Sequence, residues 1–380
     1  MDHQRLDRLR ARIREADLAA LVLVHPPNLR YLVGFHSNAY SRPLTLVVPV
    51  EGDPTLVVPR LEELQAQEMT GVADLRSYVE WDQGSAAGGR LDAEWHALLV
   101  AVLAERKLAS ARLGLERAVL TGGAERSLVA ALPKVAWSDA SGWVESLRLV
   151  KSPAEVEHHR LAGQLAAAGL DAGFAVARAG GSELEIKGAS IAAVLTEGAR
   201  RCPTLAVAGA GNALGGERIA AVHAPATGRC ARRGDPVFVV LSASVEGSHC
   251  ELSRTTVVGG TPTAEQHRWF RSVRRAHEAA RRRAAPGTPA SDLDRAARGA
   301  LREDGLAEYL SMRTGHGLGL APVEAPNLGA GDETPLRPGM VISIEPGVCI
   351  PGAGGVLWAD NYVVTPAGVE QLTEYPIEGA

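Results

Sequence analysis

The 380 residues carry 40 Lys and Arg against 44 Asp and Glu, which gives a formal net charge of −4. This balance excludes a general nucleic-acid-binding protein, because such a protein needs an excess of basic residues. The length predicts two or more domains, and hydrophobic residues, 46% of the chain, are enough for full cores. No apolar run approaches the ~18 residues of a membrane span. The charged N-terminus and the four cysteines without CxxC spacing predict a reducing, cytoplasmic location.

The first part of the chain alternates helical and strand patterns, which predicts an α/β domain. Leu6, Leu9 and Ile13 recur at the spacing of one helix face. Apolar runs predict strands at residues 19–25, 44–50 and 55–58, and periodic segments predict helices at 92–106 and 120–132.

A domain boundary is predicted near residue 148. Ser152, Pro153 and Glu155 form a capping-box pattern, in which Ser and Glu satisfy the free backbone amides of a helix start. A long helix should therefore run from here to about residue 178. The same pattern recurs at Ser182 and predicts a second helix, to about residue 198.

The remaining sequence predicts strands, then two helices, then strands again. Strands are expected at 237–242, 247–258, 340–344 and 362–364, and helices at 263–285 and 290–304. This order predicts helices packed on a curved, largely antiparallel sheet. The expected domains are therefore 1–147, of α/β type, and 148–380, of α+β type.

Four titratable residues inside or beside apolar runs are candidate site residues, because a buried charge is costly unless it is paired or used. They are His223, Glu251, His316 and Glu345. His223 ends an apolar run before a Pro turn, and His316 lies in a Gly-rich loop. Glu345 ends an apolar strand before Pro-Gly. Two His and two Glu suit a metal site or an acid–base pair.

Period-2 alternation places Glu251 on one strand face with His249 and Ser253. Each of the four candidates also has an ordinary structural role open to it, as a loop cap, a solvent-facing group or a salt-bridge partner. The spacing along the chain does not by itself bring them together.

Motifs along nearly the whole chain resemble the creatinase, methionine aminopeptidase and aminopeptidase P family, which has the pita-bread fold. Residues 28–34 and 148–155 resemble the N-terminal domain of this family and the entry to its catalytic domain. The segments 234–241, 252–255, 315–319 and 337–346 are similar to its successive sheet motifs. The resemblance therefore implies a creatinase-type N-terminal domain followed by a pita-bread catalytic domain.

Peptidases of this family bind two metal ions through two Asp, one His and two Glu. The resemblance places these five ligands at Val240, Glu251, His316, Glu345 and Ala359, and a second active-site His at Val323. Because Val and Ala have no lone pair to offer, we expect no two-metal centre. A single ion on Glu251, His316 and Glu345 is the alternative, since three protein ligands can hold a catalytic metal.

Creatinase is a metal-free member of the family, and its pattern implies roles for further residues. His223 corresponds to its proton-transfer group. Tyr40 and Arg42 correspond to N-terminal residues that reach the substrate carboxylate in the neighbouring subunit of a homodimer, where an Arg gives two parallel hydrogen bonds. Trp358 stands at the position of a guanidinium-binding Glu of creatinase and would instead stack on a planar group. The catalytic-domain Arg of creatinase falls on Leu310, and Arg313, three residues on, is the candidate substitute.

The sequence therefore predicts a metal-independent hydrolase without a cofactor. It would cleave a C–N bond of amidine, guanidine, urea or amide type in a small carboxylate-bearing substrate, in the manner of creatinase or ectoine hydrolase. Glu251 would pair with the substrate, His223 would transfer a proton, and Glu345 and His316 would orient water. The expected partners are this substrate and a second copy of the chain, with neither nucleic acid nor a membrane.

Three other readings stay open. The first is an Xaa-Pro-type metallopeptidase with a degraded, mononuclear site. The others are a non-catalytic binding module and a biosynthetic lyase or cyclase on the same fold.

Overall fold

A computed structural model describes residues 2–37, 42–79 and 93–376. The chain divides into two compact units, Met1–Arg148 and Leu149–Ala380. No helix in the described ranges is long and apolar enough to cross a membrane.

The first unit is a mixed six-stranded sheet with helices, which confirms the expected α/β class, although the sequence predicts only the first three strands. Its elements are α1 (His3–Glu15), β1 (Ala20–Leu23), α2 (Pro26–Val33), β2 (Thr45–Pro49), β3 (Thr55–Pro59), α3 (Glu63–Met69), β4 (Asp74–Tyr78), α4 (Ala93–Glu105), β5 (Arg112–Leu115), α5 (Gly122–Ala131), β6 (Ala136–Asp139) and α6 (Trp143–Arg148). The strand order is β4-β3-β2-β1-β5-β6. Leu6, Leu9 and Ile13 of α1 are buried, so the predicted helix face is confirmed.

The second unit combines four long helices with antiparallel strands, which confirms the expected α+β class. Its elements are α7 (Pro153–Arg178), α8 (Glu183–Arg201), β7 (Val207–Gly215), β8 (Pro236–Val245), β9 (Ser248–Val257), α9 (Ala264–Arg283), α10 (Ala290–Glu303), β10 (Gly315–Gly317), β11 (Glu324–Leu328), β12 (Val341–Ile344), β13 (Gly347–Ile350), β14 (Gly354–Leu357), β15 (Asp360–Thr365) and β16 (Gly368–Gln371). The strands form the orders β7-β8-β9, β11-β10-β12-β15-β16 and β13-β14.

Both predicted capping boxes are present. The Ser152 hydroxyl accepts from the Glu155 amide, and the Glu155 carboxylate accepts from the Ser152 amide at 2.8 Å. The same reciprocal pair forms at Ser182. The first of these helices packs on β8 and β9 and the second mainly on β7, and buried apolar side chains of both layers form one core cluster.

A bridge between two of the sheets creates the floor of the site. In the ladder from β7 to β9, Asn212 lies opposite Val240, and Val240 lies opposite Ser253. Ser253 then pairs with Ala359, the residue just before β15. Residues from both sheets therefore meet along one row.

Candidate active site

A cavity of about 690 Å³ opens above this row. Its polar lining consists of Asn212, His223, Glu251, Ser253, Arg313, His316, Asn327 and Glu345, and its apolar lining of Val222, Phe238, Val240, Met312, Val323 and Leu357. All four titratable residues singled out in the sequence thus line the same cavity.

Glu251, His316 and Glu345 converge on one point. The Nε2 atom of His316 lies 3.2 Å from Oε2 of Glu251 and 3.4 Å from Oε1 of Glu345. One ligand atom from each residue lies within 4.8 Å of the others, close enough for one ion to bind all three. Residues separated by long stretches of sequence therefore form one potential metal site.

Strand geometry explains the position of the two carboxylates. Glu251 lies on β9, and alternation turns it and Ser253 toward the cavity while Cys250 and Leu252 enter the core. The side chain of Asn361 fixes the backbone at Glu251. Its Oδ1 accepts from the Glu251 amide at 2.8 Å, and its Nδ2 donates to the Glu251 carbonyl at 2.7 Å. Glu345 directly follows β12, at the strand end that the sequence predicts.

His316 lies in a short strand, which corrects the expectation of a Gly-rich loop. It is the central residue of β10, between β11 and β12. A Cβ atom at Gly315 would overlap the Ser343 carbonyl oxygen, and one at Gly317 would overlap that of Ala325. The glycines therefore allow the neighbouring strands to approach, and the rigid strand orients the histidine.

The hydrogen bond on the other ring nitrogen fixes which atom of His316 faces the carboxylates. Its Nδ1 lies 2.9 Å from the Gly317 carbonyl oxygen, which can only accept, so Nδ1 donates this bond and Nε2 faces the two carboxylates. Metal-binding histidines commonly donate their second nitrogen to a carbonyl in this way. This orientation makes Nε2 the nitrogen that could bind an ion.

The pKa values of Glu345 and Glu251 shift in opposite directions. Burial raises the pKa of Glu345 well above its usual value, and the nearby charge of Glu251 adds to this. Burial also acts to raise the pKa of Glu251, but the hydrogen bond and charge of His316 outweigh it and lower that pKa. Two carboxylates this close repel each other, and a bound cation would relieve the repulsion.

The cavity mouth carries His223 and Arg313. His223 is exposed in a turn that follows a short 3-10 helix, Gly216–Ala220, so the predicted strand end is wrong here. The Arg313 guanidinium donates to Oδ1 of Asn327 at 3.1 Å. Both side chains line the cavity, where their nitrogen atoms are available to a substrate.

Trp358 does not line the cavity, which corrects the expectation that it stacks on a substrate. Its ring stacks on His277 at 4.9 Å, and its Nε1 donates to Oδ2 of Asp360 at 2.6 Å. The Arg254 guanidinium lies over the Trp358 ring, 5.0 Å from its centroid. The indole is therefore a structural link between α9 and the sheet.

The N-terminal pair predicted to hold a carboxylate belongs to the first unit. Tyr40 lies outside the described residues. Arg42 is partly exposed, and its predicted role in a neighbouring subunit stays a prediction.

Sequence reasoning missed several cavity residues, among them Asn212, Asn327 and Phe238. Asn212 lies on β7, a strand that the sequence indicates only by a general change in character after residue 203. Only the pairing of β7 with β8 reveals that its side chain faces Val240. Ser253 is predictable from the sequence, because alternation places it on the same strand face as Glu251.

The sequence matches two family descriptions that together span most of the chain. Residues 157–366 match Metallopeptidase family M24, and residues 5–150 match the Creatinase/Prolidase N-terminal domain. The chain belongs to metallopeptidase family M24. The resemblance read from the sequence motifs is therefore confirmed.

Curated relatives of this M24 chain are named as dipeptidases. The chain is 31% identical over 389 residues to "Probable dipeptidase PepE" of Mycobacterium tuberculosis, covering 99% of this chain and 95% of the relative. It is 27% identical over 372 residues to "Putative dipeptidase YkvY" of Bacillus subtilis, with 98% of each chain covered.

Solved structures agree with these relatives. An Xaa-Pro dipeptidase from Bacillus anthracis matches with a TM-score of 0.85 and 25% identity, covering 99% of this chain and 98% of that one. A prolidase from Pyrococcus horikoshii matches with a TM-score of 0.83 and 26% identity, covering 99% of this chain and 100% of that one.

These findings correct the functional prediction. A chain in a metallopeptidase family, with dipeptidases and prolidases as relatives, does not support a metal-independent, creatinase-like hydrolase of a non-peptide C–N bond. That prediction is wrong. The broader expectation of a hydrolytic enzyme stands.

The residues do not fit the two-metal centre of the family's peptidases. Val240 and Ala359 offer no donor atom, and Ser253 between them offers only a hydroxyl. Asp360 cannot replace the missing carboxylate, because its oxygens accept from Arg254, Thr373 and Trp358 in a buried network. The residues do fit one ion, since two carboxylates and one imidazole converge and a carbonyl holds the second nitrogen of the imidazole.

Proposed function

We propose that this chain is a metal-dependent peptidase for short peptides of Xaa-Pro type, with one divalent ion held by Glu251, His316 and Glu345. The observation that carries the proposal is the convergence of these three side chains in a substrate-sized cavity. The names of the M24 relatives support the choice of a peptide bond.

The donor set defines the kind of ion and its task. Two carboxylates and one imidazole suit Mn²⁺, Zn²⁺ or Fe²⁺. When bound, such an ion polarises a carbonyl and acidifies a water molecule, provided that a coordination position stays open. Three protein ligands leave such a position. The backbone clamp from Asn361 and the hydrogen bond to Gly317 hold two of the ligands in place.

His223 is proposed to move the proton. It lines the cavity without belonging to the three-residue cluster. Histidine exchanges protons readily near neutral pH. We assign it the transfer of a proton to the leaving nitrogen.

Arg313 is proposed to hold the C-terminal carboxylate of the peptide. Arg313 is the sole cation among the described lining residues, and its planar fork matches a carboxylate. The hydrogen bond to Asn327 restricts where the guanidinium points. The role that the sequence suggests for Arg42 and Tyr40 stays a separate prediction.

The direct test is turnover of a panel of Xaa-Pro peptides, free and N-acetylated, after chelation and after reloading with Mn²⁺ or Zn²⁺. We expect chelation to abolish activity and one equivalent of metal to restore it. Glu251→Gln should lose metal affinity, whereas Glu265→Gln, on the exposed start of α9, serves as control. Full turnover in the chelated protein would overturn the proposal.

Two further expectations stay predictions. A homodimer is tested by light scattering of the purified protein. The cytoplasmic location is in keeping with Cys202, Cys230, Cys250 and Cys349, which are all free thiols.

A further inference from the structure

The floor of the cavity is a row of four uncharged residues. Asn212, Val240, Ser253 and Ala359 are neighbours across four successive strand segments. The first three line the cavity directly. The row passes beside Glu251, which lies two residues from Ser253 on the same strand face.

The charged groups around this floor leave no anion free for a substrate amine. Among the described lining residues, Glu251 and Glu345 are the carboxylates, and both face Nε2 of His316. On the proposed function both are ligands of the ion. With Arg313 and a divalent ion present, the lining therefore carries a net positive charge.

A free α-ammonium group is poorly accommodated in such a cavity. Against Val240 it would lose water without gaining a counter-charge, which is costly. The ion and Arg313 would also repel it. A dipeptide with a free amine therefore meets a cavity that favours only its carboxylate end.

One polar atom of the same floor lacks a hydrogen-bond partner within the described part of the chain. The Asn212 side chain donates from Nδ2 to the Ala224 carbonyl at 2.8 Å, which turns Oδ1 the other way. This Oδ1 is buried and has no hydrogen-bond partner among the described residues. Such an acceptor is enough for a neutral amide N–H that reaches it, whereas an ammonium group would still lack a counter-charge.

The apolar part of the lining suits an acyl group. Four apolar side chains belong to one hydrophobic cluster and also line the cavity: Val222, Phe238, Val240 and Leu357. A short acyl chain could bury its surface there, which is favourable by the hydrophobic effect.

We infer that the preferred substrate is a short peptide or amino acid whose amino end is blocked by an acyl group, with a free C-terminal carboxylate. This inference rests on the proposed function and narrows its substrate class. It predicts a preference opposite to that of a peptidase that recognises a free N-terminal amine.

The test compares two peptides with the same scissile bond, Leu-Pro and N-acetyl-Leu-Pro, on the Mn²⁺-loaded protein. We expect kcat/KM to be at least tenfold higher for the acetylated peptide. Val240→Asp should reduce this preference by about tenfold or more, because the new carboxylate can pair with the amine. Val240→Asn, similar in size but uncharged, should keep the preference. A higher kcat/KM for free Leu-Pro in the unmodified protein overturns the inference.

A binding measurement separates this inference from the proposed function. Calorimetry on the His223→Ala protein with excess Mn²⁺ gives the affinity of both peptides where turnover is slow. Tighter binding of N-acetyl-Leu-Pro supports the inference even if the unmodified protein cleaves neither peptide, a result that would overturn the proposed function alone. Equal or tighter binding of free Leu-Pro overturns the inference.

Discussion

His316 and His223 line one cavity but have different surroundings, and this difference separates binding from proton transfer. His316 is buried, with one nitrogen on a carbonyl and the other facing two carboxylates. His223 is exposed at the cavity mouth. A ligand needs the first environment, whereas a proton-transfer group needs access to substrate and solvent.

We expect His223→Ala to keep the affinity for the ion and to lower kcat by ~10²–10⁴, the usual contribution of a general acid or base. His316→Ala should lose the ion itself. Calorimetric metal titration and steady-state kinetics on both variants measure the split, with the exposed His3→Ala as control. If His223→Ala also releases the ion, the division of roles is wrong.

At the scale of elements, β10 matters most for the site because it holds His316 between two strands. Its glycines leave room for the carbonyl groups of Ser343 and Ala325. A side chain at either position would push the strands apart and move the imidazole. The stability of this three-residue strand and the geometry of the proposed metal ligands are therefore linked.

Gly317→Ala should destabilise the protein by ~1–3 kcal/mol through overpacking and weaken metal binding. The matched control is Gly299→Ala in α10, where an added Cβ meets nothing within 4 Å. There the substitution should stabilise by ~0.5–1 kcal/mol, because glycine in a helix interior is unfavourable. Urea unfolding and metal titration of both variants decide; normal metal affinity in Gly317→Ala would contradict the link.

The contact between α9 and the sheet gives the fold a sensitivity to acid. Burial lowers the pKa of His277 to about 4, although the charge of Asp360 opposes this. The unfolded chain takes up this proton near the ordinary pKa of ~6.5. The unfolded state therefore binds more protons between these values, and the free energy of unfolding falls as pH falls through this window.

His277→Phe keeps the ring against Trp358 and removes the titration. We expect the loss of stability between about pH 6.5 and pH 4 to shrink by up to ~3 kcal/mol, the equivalent of the pKa difference. Urea unfolding in chelator at several pH values measures the slope, with His3→Phe as control. Parallel slopes for the unmodified protein and His277→Phe would show that this histidine does not set the acid response.

At the scale of the whole molecule, local sequence signals predict the long helices and strands such as β8 and β9, but not short strands such as β10. The capping boxes at Ser152 and Ser182 place two helix starts correctly, because their hydrogen bonds span only three residues. Alternation along β9 likewise turns Glu251 to the cavity. The orientation of Trp358 cannot be predicted from local sequence, because it depends on stacking with His277, which is remote in the chain.

The metal prediction failed for a similar reason. Val240 and Ala359 show from sequence that a second ion lacks ligands, but that observation says nothing about the first ion. Only the folded strands bring Glu251, His316 and Glu345 within reach of one another. The loss of two ligands is compatible with a peptidase that holds one ion.

The number of ions per chain tests the central claim most directly. The protein is chelated, reloaded with excess Mn²⁺ or Zn²⁺, desalted and measured by native mass spectrometry together with its peptidase activity. We predict one ion per chain, lost in His316→Ala, and activity that rises in proportion to its binding. Two ions per chain, or full activity with none, would contradict the mononuclear site.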